Sequence, residues 1–242
     1  MLFVLSADAS RYTQWTVRGL LAVLAALQWR NAPVPSRELA WRVPRCVLGL
    51  VCFGIGISLF FAGNLGTAPW DVFHTGVGKV TGLPVGVVIN LVGLALLPLW
   101  IPLKEKIGLG TVLNAVLIGV VVDVVKPRIG VSDQLVVQVG YALGGVLVIG
   151  LGTGLYIGSG LGTGPRDGIM MGLARLKLSV RLARTLVEAV TLVIGFLLGG
   201  KVGFGTLAFL LLIGPIVQVT IPWLSLPPLG TVPDPPLERA CG

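Results

Sequence analysis

Two aspartates stand in matching surroundings: Asp71 closes GNLGTAPWD at 63–71, and Asp167 closes SGLGTGPRD at 159–167. In each run a glycine, Gly66 or Gly162, lets the backbone turn. Thr67 or Thr163 is then placed to N-cap a helix, and Pro69 or Pro165 suits the first helical turn, where a missing N–H costs nothing. The carboxylate falls inside that turn, against the positive end of the helix dipole. Two chemistries are open to such a pair. As caps the aspartates fix a helix break; facing a cavity, they and the free N–H groups bind a polar solute, an ion or a proton.

The two copies differ at one informative place, where Trp70 in the first becomes Arg166 in the second. One copy thus carries an aromatic anchor, and the other a cation that either pairs with Asp167 or faces an anionic solute. Further candidates lie in apolar stretches. Arg184 stands one helical turn before Glu188, close enough for an ion pair with either a structural or a transport role. Asn90, Asn114 and Gln218 either hydrogen-bond neighbouring helices or face a solute, and Asp123, near a helix end, is expected to be solvated. The candidate solute-binding set is Asp71, Asp167, Arg166, Arg184, Glu188, Asn90 and Gln218.

Positioning these groups is the task of a very apolar chain. Of 242 residues 55% are hydrophobic and 12% charged, with a mean hydropathy of +0.94, against roughly 25% charge in an ordinary soluble domain. Apolar runs near the ~20 residues needed to cross hydrocarbon recur along it. Six spans are expected, at about 44–63, 84–102, 107–125, 136–158, 180–199 and 203–222. Lys79, Lys126, Arg128 and Lys201 fall on one side, and the other fourteen Lys and Arg on the side of the amino terminus. That asymmetry predicts cytoplasmic termini and an even number of passes. The net charge of +8 is scattered between apolar segments, which excludes a nucleic-acid partner.

Residues 1–42 form a basic extension, expected to lie on the membrane surface or to be poorly ordered, with a cleaved signal peptide or an extra span as alternatives. Residues 223–242 form a Pro-rich tail. Cys46, Cys52 and Cys241 offer neither a disulfide framework nor a metal spacing, and a single histidine, His74, excludes a His-rich metal centre. No metal or cofactor is expected.

The likeness between the copies extends well past the aspartates. Residues 54–76 align with 150–172, and a second block sets IGLGT at 107–111 against VGFGT at 202–206. The chain therefore reads as two copies of one unit, at 43–130 and 131–222. Three spans in each copy make the second enter the bilayer from the opposite side, an inverted repeat whose solute site is expected near the midplane, at interrupted helices. The short helices after each break, at roughly 69–80 and 165–176, cannot span. Small residues recur every fourth position before each break: Gly54, Ser58 and Ala62 in one copy, Gly150, Gly154 and Gly158 in the other. They are read as helix-packing faces on which the first helices of the two copies meet.

These residues identify a family. AGNLGTAPWD, GSGLGTGPRDGIMMGLARL, SVRLARTLVEAVTLVIGFLLGG and GTLAFLLLIGPIVQ resemble the YczE/YitT-type bacterial integral membrane proteins, closest to the YczE branch, over about residues 44–222. The matching positions are Gly66, Pro69, Asp71, Gly162, Pro165, Arg166, Asp167, Arg181, Arg184, Glu188, Gly205, Gly214, Pro215 and Gln218. The resemblance implies a multi-pass protein of the bacterial cell membrane.

Two functions compete: a permease for a small polar or amphipathic solute, and a non-transporting accessory protein of a biosynthetic or export complex. The lipid bilayer is the certain partner; a homo-oligomer or an accessory complex is compatible with the sequence. An enzyme is not expected, because H-E-x-x-H, G-x-S-x-G and the P-loop pattern are all missing and no residue is assigned a catalytic role.

Overall fold

Apolar stretches of this length must satisfy their own backbone in lipid, and the helix is how a single segment does so. The computed structural model describes residues 36–103, 105, 107–176 and 180–227, and the described residues form eight helices without a strand. The first copy contributes α1 (Ser36–Gly63), α2 (Pro69–Thr81), α3 (Val85–Leu103, with a 3-10 turn at Leu97–Leu99) and α4 (Leu109–Val125). The second contributes α5 (Leu135–Gly158), α6 (Pro165–Arg175), α7 (Val180–Leu197) and α8 (Phe204–Leu224). Most of the expected extension, 1–35, and most of the expected tail, 228–242, lie outside the described residues.

Five helices, α1, α3, α4, α5 and α8, are long and apolar enough to cross a membrane. Their outer faces carry exposed aliphatic side chains, such as Leu143, Leu147 and Leu151 along α5 and Leu207 and Leu211 on α8. In water such a face would be unfavourable; in lipid it is the expected surface. The sixth expected span, α7, is not among them and carries Arg181, Arg184 and Glu188 in its first half.

At the centre α1 packs along α5. A Cβ at Gly49 would lie 2.7 Å from the Gly152 carbonyl, one at Gly56 2.9 Å from that of Gly145, and one at Gly63 3.0 Å from that of Gln138. Register falls on α5 as it rises on α1, so the two helices run antiparallel. The stripe predicted for this contact points elsewhere. Gly54 faces Ile118 and Val121 of α4, with Ser58 bonding back to the Gly54 carbonyl and Ala62 buried beyond it. Gly150, Gly154 and Gly158 face α8, where the Thr220 hydroxyl donates to Gly150 at 2.8 Å. Each expected stripe thus seats the last helix of its own copy, and a second set of glycines joins the copies. Both sets recur at small-residue spacings, so periodicity alone does not rank them.

The helix start also differs from expectation. Residues up to 42 are expected to form a surface-lying or poorly ordered extension, yet α1 begins at Ser36, with Glu38 in its first turn and Pro44 accommodated inside it. Its charges are absorbed by tertiary contacts. Arg42, fully buried, pairs with Glu38 at 3.2 Å and donates to the carbonyls of Ser159 at 2.9 Å and Pro227 at 2.6 Å. Arg45 donates to the Leu224 carbonyl at 2.5 Å. Both guanidiniums thus sit at the negative C-terminal ends of α5 and α8.

Candidate functional site

Each break is built as the sequence suggests, with one correction. Gly66 and Gly162 adopt φ of +102° and +121°, a region in which a Cβ is strained, and Pro69 and Pro165 open the helices that follow. The N-caps, however, are Ala68 and Gly164, and neither has a side-chain cap bond. Thr67 and Thr163 stand one place too early, and the buried Thr67 hydroxyl has no hydrogen-bond partner. The backbone makes the stop without them: Asn64 and Gly160 turn left-handed, with φ of +53° and +71°, just past the ends of α1 and α5, Gly66 and Gly162 redirect the chain, and the proline starts the next helix.

Reciprocal contacts between the copies hold the breaks in place. The Gly205 amide of α8 donates to the Leu65 carbonyl at 2.7 Å, and the Gly110 amide of α4 donates to the Leu161 carbonyl at 2.8 Å. The threonines of the second repeated block close these turns locally, with Gly203 and Gly108 each donating to Thr206 or Thr111 at 3.2 Å. Each short helix then lies against the other copy: α2 packs on α7, and α6 reaches α3, where Trp100 Nε1 donates to the Pro165 carbonyl at 3.0 Å.

As a result the amino-terminal ends of α2 and α6 open on one cavity of about 330 Å³, within the usual range for small-molecule sites. Asp71, Arg166, Asp167, Arg184 and Glu188 all line it, together with Trp70, Asn114, Tyr156, Thr153 and Thr163, against a mostly apolar wall that includes Phe53, Ile149 and Phe209. Asp71 Oδ1 lies 3.3 Å from His74 Nδ1. Asp167 accepts a hydrogen bond from the Tyr156 hydroxyl. Arg184 Nε donates to Glu188 Oε1 at 3.0 Å. The Arg166 guanidinium stands over the Trp70 ring, 5.4 Å from its centroid, a cation–π arrangement that bridges the two half-helices.

Two sequence candidates lie elsewhere. Asn90 accepts the Gly119 amide at 3.1 Å, where α3 and α4 approach too closely for a Cβ, and Gln218 is exposed on the outer side of α8. Asp123 is likewise engaged rather than solvated, since its Oδ1 accepts the Gly86 amide at 2.8 Å in the first turn of α3. Conversely, Tyr156 and His74 were not among the expected site residues. His74 was legible as the i+3 neighbour of Asp71 on a helix. Tyr156 was not, because a helix break separates it from Asp167. Among the described residues no three His, Cys, Asp or Glu side chains gather to hold a metal ion.

Aliphatic outer faces on five long apolar helices define the class: this is an α-helical membrane protein. The chain belongs to the family described as a family of unknown function, DUF6198, whose model matches residues 40–222. It is 37% identical over 173 residues to an uncharacterized protein of Haemophilus influenzae, covering 71% of this chain and 79% of that one. It is 33% identical over 195 residues to the uncharacterized membrane protein YczE of Bacillus subtilis, covering 77% and 88%, and 33% identical over 183 residues to the uncharacterized protein YyaS of the same organism, covering 72% and 90%. The YczE-type resemblance therefore holds. No solved structure matches the chain.

Proposed function

We propose that the protein is a permease for a small polar or amphipathic solute in the bacterial cell membrane, built from six spans as two inverted repeats with both termini in the cytoplasm. The observation that carries this reading is the meeting of Asp71 and Asp167, from corresponding places in the two copies, on one cavity wall. The antiparallel course of α1 and α5 supports the inverted arrangement, since these are the first helices of their copies. In this reading α7 is the sixth span. Its Arg184 and Glu188 offset each other's charge, which lowers the cost of lipid exposure.

Interrupted helices whose amino-terminal ends face a midplane cavity are how many secondary transporters present donors and carboxylates to a solute. The accessory-protein reading asks instead for a partner surface and polar groups satisfied one by one in a dry bundle; the convergence of five expected residues favours transport. Uptake of a metabolite panel by cells overexpressing the protein, followed by flux measurements in proteoliposomes, is the test. Asp167→Asn is expected to abolish flux of the solute so identified while the purified protein stays folded. Flux equal to wild type in that variant, or no flux of any compound in the wild type, rejects the reading.

A further inference from the structure

Resting on the transport reading, we propose that His74 and Asp71 form a proton-binding site that couples proton uptake to solute movement in the adjoining cavity. His74 is fully buried on α2, and in the tautomer that donates Nδ1–H to Asp71 its Nε2 keeps a lone pair with no hydrogen-bond partner. Asp71 belongs both to this pair and to the cavity wall. A proton arriving at Nε2 would therefore be registered by the solute as the neutralisation of one carboxylate.

The two copies differ in how they supply their aspartates. In the second copy the donor is the Tyr156 hydroxyl, a group that stays neutral through the physiological range, and the position matching His74 is Met170. In the first copy the position matching Tyr156 is Phe60, and the donor is a titratable imidazole. One carboxylate is thus paired with a donor that stays neutral and the other with a donor that can take up a proton. The cavity wall carries three carboxylates, Asp71, Asp167 and Glu188, and two guanidiniums, Arg166 and Arg184, so proton uptake at His74 brings the group to neutrality.

The surroundings make that uptake depend on conformation. Besides Asp71, the charge that acts on the imidazole is Arg166, whose sign opposes an imidazolium. Of the helices packed on α2, α3 carries no ionisable side chain over 85–103, and α7 presents Arg184 and Glu188 paired to each other. Burial and Arg166 together disfavour the charged ring in this arrangement, and access of water removes the first of these. Uptake therefore requires water to reach Nε2, which takes the proton there while Nδ1–H remains on Asp71 Oδ1.

Because the chain has one histidine, its imidazole can be read directly. Full-length protein labelled with 13C,15N-histidine in nanodiscs is expected to show Nδ1–H alone at about pH 8 and to gain a proton at Nε2 only below the ordinary imidazole range, as the pH falls to about 4, because burial disfavours the charged ring. Asp71→Asn is expected to lower the midpoint by about one pH unit or more, and Asp167→Asn by less than half as much. In pyranine-loaded proteoliposomes an acid jump should acidify the lumen at a rate that His74→Gln reduces about tenfold. A ring that stays neutral to about pH 3, equal shifts in the two aspartate variants, or unchanged proton entry in folded His74→Gln overturns the proposal. Absence of solute flux in the wild type would defeat the transport reading and the coupling with it, while the imidazole titration decides the proton site separately.

Discussion

The Gly205 amide donates to the Leu65 carbonyl across the boundary between the two copies at 2.7 Å, and Gly110 repeats the bond to Leu161 at 2.8 Å. Each copy's second repeated block therefore docks on the other copy's helix break. This exchange holds both half-helices against the cavity, and it sets the first prediction.

Gly66 adopts φ of +102°, and a Cβ there would lie 2.8 Å from the Cα of Gly203. Strain and backbone collision act together, so Gly66→Ala is expected to destabilise the protein by about 2–4 kcal/mol. Gly214→Ala, where a Cβ meets nothing within 4 Å, should leave stability unchanged or slightly raised. Unfolding in mixed detergent micelles would compare them; equal stability of the two variants would remove the crossing contact from the account.

Arg42 joins the start of α1 to the carboxy-terminal ends of α5 and α8. Arg42→Met should cost about 3–5 kcal/mol, because carbonyls and a carboxylate lose a buried cation. Arg42→Lys should recover less than half of that, since an ammonium cannot reproduce the fork. Full recovery with lysine would mean that charge alone suffices.

Arg184 and Glu188 are joined by a 3.0 Å contact, with the arginine side chain 40% exposed. A double-mutant cycle to Gln at both positions is expected to yield a coupling energy of about 0.5–1.5 kcal/mol. Additive losses would show that the pair contributes no mutual stabilisation.

Topology is open to a direct check. Lys79 donates to the Gly199 carbonyl, Lys201 donates to Asn64 at 2.6 Å, and Lys126 stands over the Phe61 ring, so the described lysines gather at the end of the bundle opposite Arg42 and Arg45. Single cysteines at 126 and 201, in a background lacking the three native ones, should react with an impermeant maleimide added outside intact cells. One at Ser225 should react only after permeabilisation. Labelling of all three from one side would refute the six-span arrangement.

Much of this was readable in the residues alone. Alternation of long apolar runs with Gly, Pro and charge placed α3, α4, α5, α7 and α8 within a few residues, because in lipid length and hydropathy leave a segment little choice but helix. The LGTxPxD runs placed both half-helices for an equally local reason, since left-handed glycine and N1 proline act within one turn. The start of α1 escaped notice because the charges of Glu38 and Arg42 argue against a membrane span, and Pro44 against an unbroken helix, until their distant partners are known.

Local chemistry thus set the class of protein, the two breaks and five of the seven expected residues on the cavity wall. Which stripe of small residues joins the copies, that Asn90 serves the contact between α3 and α4, that Gln218 faces outward, and that Tyr156 and His74 each hold an aspartate were decided only by packing. Spacing along a chain tells which side chains share a face of one helix. What that face meets depends on the partner helix and its register, and these exist only once the two copies have closed on each other.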